Sequence, residues 1–217
     1  LKNNPITTQI EPNDSIAELL HAFVRINNIL TDMCVDIWLY ISRNVFTQIN
    51  KPDEVGSSTM PHKINPISFE NAEGNLELSN ASFIFLASRL SRSRLQRDLS
   101  GSTLFRNVGV AFGHSLLAYK NIVDGLNRIH PNKDQLSLEL ENQWGILAEA
   151  IQTILRKSGD KDAYNKIKKL TRGVPLNQET YLALVGTLKI PEQDKKALLS
   201  LTPPTYVGEI KKILKNY

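Results

Sequence analysis

A chain of 217 residues, 41% of them apolar, is long enough for one or two domains with sizeable cores and too apolar to be disordered. Its formal charge of +4 is too small a surplus to argue for nucleic acid, and no apolar run reaches membrane length. A single cysteine, Cys34, excludes an internal disulfide and fits a reducing compartment, so a cytoplasmic protein is expected.

In chain order, Pro12, Asn13 and Asp14 form a stop-and-cap signal. The three-and-four spacing of Ile16, Leu19, Leu20, Phe23, Ile26, Leu30, Met33, Ile37 and Ile41 then predicts one helix from 14 to about 44. Val24, Val35, Trp38 and Leu39 widen its stripe, so it should pack on several neighbours, with Cys34 as a core thiol. A polar loop from about 48 to 65 follows. Asn65 as cap and Pro66 at the first helical position restart a helix that runs to about 89. Its Glu70, Asn71, Glu73, Asn75 and Glu77 make a polar side for solvent, an interface or a site.

Residues 88–106 hold Arg89, Arg92, Arg94, Arg97 and Arg106 against one acid, Asp98, a strong local positive field. Guanidinium forks grip carboxylates and phosphates in pairs. A nucleic-acid patch is the lesser reading, because no aromatics interleave. From Leu99 or Thr103 a further helix is predicted to 129, striped by Leu104, Val108, Ala111, Leu116, Tyr119, Val123 and Leu126. Gly109, Gly113, Ala118 and Gly125 would admit close helix packing. His130, Pro131 and Asn132 end it. An amphipathic helix over 134–157 turns Leu136, Leu140, Trp144, Leu147, Ile151 and Ile154 inward, and shorter helices are expected at 161–170, 177–187, 191–199 and about 206–216. Almost no strand pattern is present.

The expected fold is all-α: residues 1–130 as part of a long-helix bundle and residues 131–217 as a small helical C-terminal domain. Three helices with such wide apolar faces are incomplete alone. Cover from symmetry mates, from a further N-terminal segment, or from both is expected. The start at Leu1, without an initiator methionine, leads us to expect a piece of a larger protein.

The chemistry concentrates in residues 56–66, GSSTMPHKINP. Such a stretch is too rich in glycine, proline and hydroxyls for the interior of a regular element, and many loops of this kind are plain surface connections. This one gathers Ser57, Ser58, Thr59, His62, Lys63 and Asn65 in one short span. Lys63 and the arginines favour an anionic ligand, Asn65 and Gln9 can orient its oxygens, and the serines could exchange a proton. His21, His62, His114 and His130 are scattered without metal-ligand spacing, and no phosphate-cradling glycine loop is present, so neither metal nor cofactor is called for. A serine hydrolase is a rival, but Ser57 and Ser58 lack the strand–turn–helix setting of a nucleophile elbow.

The words EVGSSTMPHKINPISFENAEGNL, at 54–76, and TTQIEP, at 7–12, resemble the signature of the fumarase, aspartase, argininosuccinate lyase and adenylosuccinate lyase superfamily. The resemblance is strongest to the adenylosuccinate lyase branch, over the C-terminal half to three-fifths of such an enzyme. It implies β-elimination of fumarate from a succinyl nucleotide in purine synthesis. Ser57 would be the general base, Lys63 and Asn65 would hold the carboxylate, and Gln9, Ser58, Asn71, Arg97, Ser102 and Arg106 would bind the rest of the substrate. It also implies a homotetramer whose active sites draw on three subunits, and an acid histidine in the preceding part of the protein, so this chain alone would be inactive. The alternatives are a sister fumarate-releasing lyase, a noncatalytic helical oligomerisation module, or, weakly, nucleic-acid binding through residues 89–106.

Overall fold

A computed structural model of the chain describes residues 4–49, 65–95, 97, 99–173 and 176–216. They form two compact units, residues 1–132 and 133–217, nearly all helix. The first unit is built on α1 (Asp14–Ser42), α2 (Ile67–Leu90) and α4 (Val108–Leu126), with the short α3 (Ser100–Phe105) before the last. The second holds α5 (Lys133–Glu141), α6 (Leu147–Lys157), α7 (Ala163–Thr171), α8 (Gln178–Thr187), α9 (Glu192–Leu199) and α10 (Ile210–Ile213).

The seam of the first unit follows a seven-residue repeat. Leu20, Asn27 and Cys34 of α1 are buried, as are Phe69, Leu76 and Phe83 of α2, and Ala111, Ala118 and Gly125 of α4. A seven-residue repeat keeps one seam facing its partners along helices that wind slowly around each other. The seam has two apolar layers. One centres on Leu20, Phe83 and Leu86, with Phe23 and Phe112 edge-to-face at 4.8 Å, and the other on Cys34, Phe69, Leu76 and Ile122. Between them lies a polar layer. The Asn27 amide donates to Ser115 Oγ at 3.0 Å, Tyr119 donates to Asn27 Oδ1 at 2.6 Å, and Ser79 donates to the Ala111 carbonyl at 2.9 Å. Each of these groups has a partner, so the layer tolerates burial and fixes the register of three helices.

Asn27 departs from the sequence reading, which places Ile26 in the stripe. Ile26 is 47% exposed and Asn27 is fully buried. Nearly every turn of α1 carries apolar groups on two sides, so periodicity alone does not say which side meets the seam.

Other boundaries differ for local reasons. Asn65 does not cap α2 with its side chain, and Pro66 sits one position before the first helical residue. Main-chain bonds do the capping: the Asn65 carbonyl accepts from Ile67 N at 2.9 Å, and the Pro66 carbonyl from Phe69 N at 2.9 Å. The helix predicted from Leu99 or Thr103 to 129 breaks at Asn107, whose side-chain amide takes the Thr103 carbonyl at 3.2 Å while its main-chain N–H turns to Leu104 O at 2.9 Å. The helix predicted over 134–157 splits at a 3₁₀ turn over Trp144–Ile146, beside Asn142 and Gly145, both weak helix formers. At the C-terminus only Ile210–Ile213 is α-helical.

A two-stranded antiparallel ribbon also forms, where almost no strand pattern is expected. β1 (Phe46–Gln48) pairs with β2 (Ile129–Pro131), Thr47 opposite His130. Ile49 N donates to Arg128 O at 2.8 Å, which holds the chain at Ile49 beside the end of α4.

Gly125 is the one close approach among the glycines expected to pack. A Cβ there would lie 2.7 Å from the buried Phe69 ring, whereas Gly109 and Gly113 face open space.

The second unit has one core. Tyr181, Leu147, Ile151, Val185 and Leu198 are all at or near zero exposure, and the Tyr181 hydroxyl donates to the Leu198 carbonyl at 2.8 Å. Asn177 and Thr180 form a reciprocal cap that starts α8.

Candidate functional site

Ser57, Ser58 and Lys63, with most of the signature stretch, lie outside the described residues. The residues flanking it are fixed at one end of the bundle. Ile49 is tied to Arg128, and Asn65 opens α2. At this end Trp38 Nε1 donates to the Glu70 carboxylate at 2.9 Å, Ser68 donates to Asp124 at 3.3 Å, and Phe69 packs on Gly125. Asn71 follows one turn later, exposed, and its carbonyl accepts the Asn75 amide at 2.8 Å. Asn75 Oδ1 lies 2.8 Å from His114 Nδ1. Because the Asn75 amide nitrogen is already donating, its oxygen faces the ring and Nδ1 carries the proton. This His114–Asn75–Asn71 chain escapes sequence reading, since 39 residues separate its first two members.

Gln9, Arg97, Ser102 and Arg106 belong to the other end. The turn before α1 bonds the end of α2, Asn13 Nδ2 donating to Leu90 O at 3.3 Å, and Gln9 lies four residues before it. Arg89 donates to Ser100 Oγ at 2.6 Å and to Arg92 O at 2.9 Å, so its guanidinium is a clamp that turns the chain from α2 into α3. Arg92 donates to Ser88 O at 3.0 Å. Arg89, Arg92, Ser93 and Arg94 surround a concavity of about 210 Å³. Beyond it Arg97, Ser102 and Arg106 are exposed, the last two separated by one helical turn and hence on one face. Among the described residues neither Arg97 nor Arg106 has a side-chain partner, which leaves both forks open to an anion.

The predicted site residues that are described therefore fall into two groups at opposite ends of α2, Asn65 and Asn71 at one and Gln9, Arg97, Ser102 and Arg106 at the other. With 24 residues at 1.5 Å each, that helix is about 36 Å long. No small substrate touches both ends of it, so one copy does not bring the two groups together. Among the described residues no cluster of histidine, cysteine and carboxylate is arranged for a metal, and no helix is long and apolar enough to cross a membrane.

This two-ended arrangement sits in a sequence that matches known proteins throughout. The model of the adenylosuccinate lyase C-terminal domain matches residues 93–207, and a lyase family model matches residues 1–77. The chain belongs to the adenylosuccinate lyase family. Its relatives include the adenylosuccinate lyase of Legionella pneumophila (strain Corby), 52% identical over 217 residues, which are all of this chain and 48% of that one. That of Buchnera aphidicola subsp. Baizongia pistaciae is 50% identical over 99% of this chain and 46% of its own length, and that of Escherichia coli (strain K12) 49% identical over 94% and 45%. The chain thus spans about half the length of the curated relatives it matches. Asn65 and Asn71 lie in the stretch shared with the lyase model, and Arg97, Ser102 and Arg106 in that shared with the C-terminal domain of adenylosuccinate lyases.

Proposed function

We propose that this chain contributes one half of an adenylosuccinate lyase, a carbon–nitrogen lyase that splits adenylosuccinate into AMP and fumarate and cleaves the corresponding succinyl-aminoimidazole-carboxamide ribonucleotide of purine synthesis. The Ser57 oxygen removes the proton from the carbon next to a succinyl carboxylate. The electron pair left there closes the carbon–carbon double bond of fumarate as the bond to nitrogen breaks, and the leaving nitrogen takes a proton from an acid in the preceding part of the protein. Lys63 and Asn65 stabilise the negative charge that grows on the carboxylate, the kind of preorganised interaction that usually contributes most. A serine hydroxyl is a weak base at neutral pH and needs a dry pocket with cationic or N–H partners. Arg97 and Arg106 hold phosphate or carboxylate, with Gln9, Ser58, Asn71 and Ser102 completing the contacts.

The observation that carries this reading is the separation of Asn65 and Asn71 from Gln9, Arg97, Ser102 and Arg106 by most of the length of α2, in a family member with outward apolar residues along the same helices. A homotetramer in the cytoplasm, with each site drawn from three subunits, brings the two groups together across copies.

The test uses the intact protein. Ser57→Ala and Lys63→Met should each lower fumarate release by several orders of magnitude with the tetramer retained. Mixing inactive Ser57→Ala and Arg97→Ala subunits should restore part of the activity, because some sites in a hybrid then receive two unaltered contributors. Wild-type turnover in either loop variant, or no recovery in hybrids of proven mixed composition, defeats the reading.

A further inference from the structure

Fourteen lysines and arginines against ten aspartates and glutamates fall in residues 133–217, so the whole formal surplus of +4 resides in the second unit. It is densest from Arg156 to Arg172, with seven cations and two acids. Between the end of α6, α7 and the turn after α8 lies a cavity of about 550 Å³, within the range of about 300–1,000 Å³ usual for small-molecule sites. Its floor is apolar. Leu155 and Ile167 belong to the core, and Leu170 and Leu188 extend the same surface outward.

The polar groups of this cavity divide sharply. Lys166 is bonded to Asp160 at 2.6 Å, and the other oxygen of Asp160 accepts the Asp162 N–H at 2.9 Å, so that pair is neutralised within itself. Thr187 spends its proton on the Leu184 carbonyl at 2.7 Å. Lys169 and Lys189 line the same cavity, and neither has a side-chain bond to a described residue. Two like charges at the edge of an apolar floor attract an anion that carries its own apolar body. Another flank of α7 lacks that floor: Asp162, Asn165, Lys168, Arg172 and the same Lys169 line a groove of about 350 Å³ with no leucine or isoleucine in it.

We propose that the cavity over α7 binds a small aliphatic carboxylate, its chain on Leu155, Ile167, Leu170 and Leu188 and its charge between Lys169 and Lys189. A purine nucleotide fits the cations equally well but not the floor. The ring nitrogens of the base would lie against leucines, with the Thr187 oxygen as the one neutral side-chain partner there, and unpaired polar groups are costly to bury. None of its residues is among those assigned above to the elimination.

Decanoate titrated calorimetrically into the full chain is the test, with AMP and decanol as competitors and the Lys169→Gln/Lys189→Gln and Leu170→Gln variants as controls. Leu170 is half-exposed and the lysines lie at the surface, so the variants should keep the wild-type circular dichroism spectrum. Saturable one-to-one binding is expected, weakened by about tenfold or more in both variants and not displaced by AMP. Absence of saturable heat, equal binding by the double lysine variant, stronger binding of decanol than of decanoate, or displacement by AMP each overturns the proposal.

Discussion

In the first unit, helices of 29, 24 and 19 residues share one seam, whereas in the second, helices of 8 to 11 residues surround Tyr181. Their outer surfaces differ accordingly. Along α2 and α4, Ile84, Phe85, Val110, Leu116, Leu117 and Val123 point outward, a run of apolar side chains that one copy does not cover. On α6 and α7 the buried residues keep to one face, Leu147, Ala150, Ile151 and Leu155 on the first and Ala163 and Ile167 on the second. A helix that is apolar on two sides is built to be covered twice, and a sharply amphipathic helix needs one core. The contrast puts shared chemistry on the first unit and self-contained burial on the second.

The largest test of that contrast is Tyr181→Ala. Removing a fully buried aromatic and its bond to Leu198 should cost about 3–5 kcal/mol. The loss should appear only in the second unit. The chain has two tryptophans, Trp38 in the first unit and Trp144, 5.5 Å from the Tyr181 ring, in the second, so Trp38→Phe and Trp144→Phe backgrounds report each unit's urea transition separately. A matching drop at Trp38 would mean that the units unfold as one.

Glycines sharpen the comparison within the first unit. Gly125→Ala forces a Cβ to 2.7 Å from Phe69, and overpacking of this kind should cost about 1–3 kcal/mol. Gly113→Ala meets nothing within 4 Å and should raise the stability of the dissociated chain by about 0.5–1 kcal/mol through helix propensity. Where α4 is covered by another copy, the same methyl should weaken association. Denaturation and sedimentation on both variants check the pair, and equal effects on stability would remove the distinction between seam and outer face.

How much of this the sequence discloses follows from the range of the interactions. The long helices are local events, so apolar spacing announces them, but their ends are set by other contacts: Asn13 precedes α1 without a side-chain cap, and α4 stops at Leu126, before Ile129–Pro131 enter the ribbon. Asn27 is hidden because its partners Ser79, Ser115 and Tyr119 lie 52 to 92 residues away. Its seven-residue spacing from Leu20 and Cys34 was the available signal. The ribbon of β1 and β2 is hidden for the same reason, since Thr47 meets His130. Arg89 and Arg97 have equal weight in a count of positive charge, and only the bond to Ser100 shows that the first is a structural clamp. The roles proposed for Ser57 and Lys63 rest on likeness to a family signature, because residue types alone leave a polar loop and a working loop equally well described.

The smallest effect separates the units by pH. Burial, with the Glu73 carboxylate adding to it, pushes the Cys34 thiol from 9.0 up to about 11, and burial pushes the Tyr181 phenol from 10.0 up to about 12. Both groups are acids held neutral in the folded state, so the unfolded chain releases their protons first. Their stabilising contribution is complete below the unfolded value and falls as pH rises through the folded one, over pH 9 to 11 in the first unit and 10 to 12 in the second. At pH 10 the first unit should have lost on the order of 1 kcal/mol from this source and the second clearly less. Urea transitions at pH 8 and pH 10 in the two single-tryptophan backgrounds measure the difference. Cys34→Ala should abolish the larger response and leave that of the second unit in place. A pH dependence in the first unit that survives Cys34→Ala would assign it to another group and remove the thiol from the account.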